Sequence, residues 1–266
     1  MAVDAPLVCV RAATFRYGQR EILHGLDLDI YRGEVLSILG PNGCGKTTLL
    51  RCIGGASKLF RGSVRLADVE VGSLPPPARA RKIGILFQEH TPAFPLAVRD
   101  VVIMGRAPHL SVFGSPGPGD VAMADEALER VGMTYLRDRP YTQVSGGERQ
   151  LILLARTLVQ KPDVILLDEP TAHLDFHNQV LTLRIIRSLA ADGMTMVMTT
   201  HDPNHALWFG GRAALMKCGR FVAVGPASDV ITDATLSATY DTDVRVFGVA
   251  RRNGAGEFAV CTAWHS

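Results

Sequence analysis

The sequence predicts an α/β protein built on a mainly parallel sheet. Short, continuous apolar runs at residues 35–39, 83–87, 164–167 and 194–198 have the length and composition of buried strands. Helical patterns separate these runs, the arrangement that parallel strands require. A glycine-rich turn at residues 40–45 follows the first run, and a helix is expected to start near Lys46.

The other elements follow in order. Residues 7–10 and 22–30 read as strands with a tight connection, and 62–71 as a further strand pair. Pro75-Pro76-Pro77 marks a break. From Val98 to about Gln160 the pattern is mainly helical, interrupted by a loop rich in Gly and Pro at 114–119, and the stretch 90–160 reads as a helical insertion. A helix is expected around 178–191. The last forty or so residues mix short strands with a helix.

Bulk properties narrow the function. The chain has 266 residues, enough for one large domain or two small ones. Its composition, 47% hydrophobic and 20% charged, is that of a soluble globular protein. A net charge of +2 gives no strong pull toward nucleic acid, and no such partner is expected. The five cysteines, Cys9, Cys44, Cys52, Cys218 and Cys261, are odd in number and form no CxxC pair. They read as reduced thiols rather than a disulfide framework or a zinc site. The N-terminus has no signal pattern, and no apolar run approaches the roughly 18–20 residues that span a bilayer. Any service to a membrane therefore requires docking onto another subunit.

Gly40-Pro41-Asn42-Gly43-Cys44-Gly45-Lys46-Thr47 fits G-x-x-x-x-G-K-[ST] without mismatch, with Thr48 next. Glycines let the backbone wrap around phosphate with its N–H groups pointing inward, and the following helix adds its positive end. Lys46 can reach the β- and γ-phosphates, and the Thr47 hydroxyl suits Mg²⁺. A second element ends the apolar run 164–167 in Asp168 and Glu169. Strand ends line the ligand crevice of open α/β sheets. Asp168 suits the Mg²⁺ shell, and Glu169 suits orienting or deprotonating a water. Alone, this acid pair reads equally well as a surface turn. Its company with the phosphate loop favours chemistry.

With these residues the chain resembles the ATP-binding cassette ATPases. Val144-Ser145-Gly146-Gly147-Glu148-Arg149-Gln150 looks like that family's signature sequence. The resemblance covers roughly residues 8–225 and implies a P-loop NTPase, RecA-like core with an antiparallel β subdomain and a helical subdomain inserted at about 90–160. The whole chain would be one nucleotide-binding domain, with 226–266 as its tail. It further implies that Tyr17 stacks on adenine, that Gln88 senses Mg²⁺ and the attacking water, and that His201 contacts the γ-phosphate. Ala172-His173-Leu174-Asp175 matches the loop that communicates across a head-to-tail dimer; His173 is expected to pack rather than react. In that dimer Lys46 of one chain and Ser145, Gly146 and Gly147 of the other would enclose one ATP.

The resemblance also implies partners. Permease subunits in the membrane would receive the force, with residues 89–95 at the contact, and a periplasmic binding protein would act indirectly. The chain would sit on the cytoplasmic face of the plasma membrane. Residues 104–110, Phe113, 116–120 and the tail stretch 236–244 look like the importers for iron-siderophore, haem and cobalamin; molybdate or tungstate importers are the alternative. A cassette ATPase outside transport is less well matched, since neither a second cassette nor a coiled coil appears. Two departures stand out. Leu151 replaces a basic residue after the signature, and Ala67-Asp68 stands where a glycine turn is common. Cys44, inside the phosphate loop, reads as a tolerated small residue in preference to a reactive thiol, although a helix N-terminus can activate a thiol.

Overall fold

The structure is a computed structural model that describes residues 5–87, 94–111, 113–250 and 257–263. The described chain forms two compact units, one of Met1–Ser73 with Thr195–Ser266 and the other of Leu74–Met194. In chain order, the first unit opens with β1 (Val8–Tyr17), β2 (Arg20–Ile30), β3 (Val35–Leu39), α1 (Lys46–Ile53), β4 (Arg61–Leu66) and β5 (Val69–Glu70). The second unit holds α2 (Pro76–Lys82), β6 (Ile83–Leu86), α3 (Val98–Ile103), α4 (Pro118–Arg130), α5 (Gly146–Leu158), β7 (Val164–Asp168) and α6 (Phe176–Ala191). The chain then returns to the first unit with β8 (Met196–Thr200), α7 (Pro203–Phe209), β9 (Arg212–Lys217) and β10 (Arg220–Pro226). It ends there in α8 (Ala227–Val230), α9 (Asp233–Tyr240), β11 (Val244–Ala250) and β12 (Glu257–Ala263).

The first unit contains both kinds of sheet. β3 runs parallel to β8 and to β9, and β10 closes that edge antiparallel to β9. Every residue of β3 and β8 is buried, which is why these strands read as unbroken apolar runs. β2, β1, β4 and β5 form a separate antiparallel sheet. There the burial of β4 alternates near its end, as expected for a strand with one covered face. In the second unit β6 and β7 pair in parallel, and β7 is buried throughout.

Three local outcomes differ from the sequence reading. Pro76 opens α2 instead of breaking the chain, because proline fits the first turn of a helix, where its missing N–H costs nothing. β8 starts at Met196, two residues later than expected, because Met194 donates back to the Leu189 carbonyl at 3.2 Å and so closes α6. Ala67 and Asp68 form the two-residue turn between β4 and β5 with φ of 45° and 67°. A turn with both central residues in the left-handed region suits the twist of a hairpin, so the backbone shape persists without glycine at some cost in strain. Among the described residues, no helix is long and apolar enough to cross a membrane.

Candidate nucleotide-binding site

The first unit carries the phosphate loop between β3 and α1. Leu39, the last residue of β3, is fully buried, while Asn42 and Gly43 stand exposed at the crown of the loop. Gly40 has φ of 151°, and a Cβ there would run into the carbonyl oxygen of Met216 on β9. Only glycine lets the loop leave the sheet at this point. Gly45 caps α1 with φ of 109°, no side chain caps the helix, and its first turn has no acid. The positive field of that end fits an anion. The Lys46 ammonium is buried and donates to the carbonyls of Gly40 at 2.8 Å and Pro41 at 3.2 Å, which folds the loop back over its own cation. Thr47 and Thr48 follow in the first turn of α1, with Thr47 the less buried of the two. Cys44 is buried, and desolvation pushes its thiol up despite the nearby Lys46 ammonium. It is a packing residue in this loop, as the sequence reading preferred.

Two other predicted residues belong to the same unit. Tyr17 ends β1 at the turn into β2, half exposed at 52%, with its ring edge-on to Phe15 at 4.8 Å. That leaves a face wide enough for a flat base to stack on. His201 follows directly after β8. Its neighbours are tied down: Asp202 donates its N–H to the Thr200 hydroxyl at 3.1 Å and caps α7 by accepting from the Asn204 N–H at 2.9 Å. Behind them the buried His205 meets the Thr200 hydroxyl through Nδ1 at 2.9 Å. Desolvation lowers the pKa of His205, so this imidazole is a neutral support for the turn. Sequence reasoning missed His205; its spacing of four from His201 is the only signal it leaves.

The second unit carries the acid pair and the signature. Asp168 is buried at the end of β7. Glu169 follows with φ of 45°, an uncommon conformation for a residue with a Cβ, and Ala172 donates its N–H back to the Glu169 carbonyl at 3.0 Å. His173 also has positive φ, at 61°. The turn from 169 to 173 is thus held in a strained shape that aims Glu169 differently from a continued strand. Asp175 caps α6, and both of its carboxylate oxygens accept from Asn178, at 2.8 Å from the backbone N–H and 2.9 Å from the side chain. The Asn178 backbone N–H, chief among several contacts, holds that carboxyl below its usual range.

Ser145 caps α5 by accepting from the Glu148 N–H at 3.3 Å, and the Glu148 carboxylate accepts from the Ser145 N–H at 2.7 Å. This is a reciprocal capping box. Tyr135 donates to the other Glu148 oxygen at 2.9 Å. A Cβ on Gly147 would collide with the Asn178 side chain, so the signature glycine admits the residue that Asp175 holds. Glu148, Tyr135 and Asn178 were not singled out by sequence reasoning. Gln88 and residues 89–93, expected at the magnesium and permease contacts, lie outside the described residues.

The donor set suits a magnesium nucleotide. Mg²⁺ takes one or two carboxylates or hydroxyls plus phosphate and water rather than a protein cage. No cluster of three or more His, Cys, Asp or Glu side chains fit to hold a metal occurs among the described residues. Comparison with known proteins decides the family. Residues 23–172 match the ABC transporter family profile. The chain belongs to the ABC transporter family.

Within that family, the hemin import ATP-binding protein HmuV of Streptomyces coelicolor is 40% identical over 230 residues, covering 86% of this chain and 81% of that one. The cobalamin import ATP-binding protein BtuD of Halobacterium salinarum is 38% identical, covering 85% of this chain and 56% of its own length. A solved inward-facing conformation of a putative metal-chelate type ABC transporter superposes with a TM-score of 0.87 at 30% identity, covering 98% of both chains. The α/β architecture and the ATP-binding character expected from the sequence are those of the ABC transporter family.

Proposed function

We propose that this chain is the ATP-hydrolysing subunit of a bacterial importer, energising uptake of a metal chelate of the haem, cobalamin or iron-siderophore class through a separate permease. The observation that carries ATP binding is the glycine-rich loop at the N-terminus of α1, where no side chain caps the helix and its first turn holds no acid. The likeness to hemin and cobalamin import proteins over most of the chain supports import and the cargo class. Two copies would act head to tail, peripheral to the cytoplasmic face of the membrane, with a periplasmic binding protein delivering cargo to the permease.

Each group then has a role. The loop N–H groups and Lys46 would bind the β- and γ-phosphates, and the Tyr17 ring would stack on the base. Thr47, Asp168 and Gln88 would hold Mg²⁺. When bound, the metal neutralises phosphate charge. Glu169 would orient the attacking water and take its proton, and His201 would contact the γ-phosphate. Ser145, Gly146 and Gly147 of one copy would close over the nucleotide bound by the other, with Asp175 in the loop that links the two. ATP-driven closure and hydrolysis-driven opening make a two-state switch.

The test is hydrolysis and dimer formation with Mg-ATP by the full chain and by Glu169→Gln. The wild type should turn over, whereas the variant should accumulate as an ATP-bound dimer with turnover at least about 100-fold lower. Unchanged hydrolysis in the variant would remove Glu169 from its role. Haem, cobalamin and molybdate uptake by vesicles containing the chain with its permease then discriminates the cargo.

A further inference from the structure

The C-terminal elements pack against the base of the phosphate loop. Leu39, the residue before Gly40, shares a buried cluster with Leu215 of β9, Leu236 of α9, Val244 of β11 and Cys261 of β12. Tyr240, the last residue of α9, lies half-buried against the same cluster. Its phenol donates to the carbonyl oxygen of His201 at 3.4 Å. One side chain therefore packs at the base of the phosphate loop and bonds to the histidine expected at the γ-phosphate.

The surroundings hold that hydroxyl in place. Lys217 of β9 donates to the Ala238 carbonyl at 2.6 Å and to the Asp241 carboxylate at 2.7 Å, which staples the end of α9. On the other side of His201, Asn204 of α7 and the Cys261 backbone exchange two hydrogen bonds, at 2.9 Å and 3.2 Å. The turn carrying His201 is thus fixed from the tail on both flanks. Burial pushes the Tyr240 phenol above the ordinary tyrosine range, so it stays a neutral donor at any working pH.

We infer that Tyr240 is a positioning residue for ATP hydrolysis, its phenol setting the place of His201 while its ring packs on the cluster that holds Leu39 at the base of the phosphate loop. It need not touch the nucleotide. Small misplacements of a group at the reacting centre cost rate far more than binding. The tail is then part of the hydrolytic machinery rather than an appendage. This inference rests on the ATPase reading above.

The experiment compares the full wild-type chain with Tyr240→Phe and Lys217→Ala, measuring kcat, KM for Mg-ATP and the melting temperature of each. Tyr240→Phe keeps the ring packed and removes only the hydroxyl; Lys217→Ala loosens α9 and leaves the hydroxyl in place. The expected result is a kcat at least threefold lower in Tyr240→Phe, with KM within about twofold and the melting temperature unchanged, and a smaller loss of kcat in Lys217→Ala. A kcat loss below threefold in Tyr240→Phe overturns the inference. So does a loss accompanied by a lowered melting temperature or a raised KM, or an equal loss in Lys217→Ala, because each makes the contribution one of packing. A wild-type chain with no hydrolysis, alone or with its permease, overturns the ATPase reading itself.

Discussion

The N-termini of α1 and α5 are built from similar glycine-rich sequence and are finished in opposite ways. Both carry about half a positive charge at the helix N-terminus. At α1 the chain supplies a glycine cap, no side-chain acceptor and no acid. At α5 it supplies the Ser145 hydroxyl, the Glu148 carboxylate and, behind that, the Tyr135 hydroxyl. The first end has no side-chain cap and no acid in its first turn, while the second has its field offset by a capping carboxylate. An anion arriving at α5 meets a carboxylate, so α1 is the stronger anion site of the two.

The sharpest way to break this comparison is Lys46→Ala. It removes the cation beside the open end and releases the Gly40 and Pro41 carbonyls. ATP affinity, read by titration calorimetry, should fall about 10- to 100-fold, since a hydrogen bond to a charged group contributes roughly 1.5–3 kcal/mol. Ser145→Ala should act differently. Loss of the cap should destabilise α5 by about 1 kcal/mol, seen as a melting temperature lower by roughly 2–4 °C. ATP affinity of the single chain should stay within about twofold, and an affinity loss as large as that of Lys46→Ala would erase the ranking of the two ends. The smallest effect is on pH. Hydrogen bonds to Ser145, the backbone N–H foremost, lower the Glu148 carboxyl below its ordinary range. Its contribution to stability is complete above the unfolded value of about 4.3 and is lost as pH falls through the lowered folded value. Melting curves between pH 7 and pH 3 should therefore differ less for Glu148→Gln than for the wild type; identical pH dependence would remove the charge from the cap.

Much of this was legible in the residues. β3 was read to the residue, and the phosphate loop, the acid pair and the signature each sit where their patterns put them. Elements whose ends depend on hydrogen bonds from elsewhere were read less well. The start of β8 depends on the closing turn of α6, and the Thr195 hydroxyl there accepts from the distant Gly33 N–H at 3.0 Å. Tyr240 was noticed only as part of a resemblance in the tail, because its partner His201 is 39 positions away in the chain.

The sequence by itself determined the α/β class and the family, and it placed the glycine-rich loop and the acid pair at strand ends, since glycine spacing, burial runs and strand-end acids are local properties of the chain. Only the tertiary structure decided that α5 is capped by a side chain and α1 is not, that Gly147 makes room for Asn178, and that the tail packs at the base of the phosphate loop and reaches His201 through Tyr240. Those outcomes depend on which side chains come within hydrogen-bonding distance once distant segments pack, and a linear pattern does not encode that proximity.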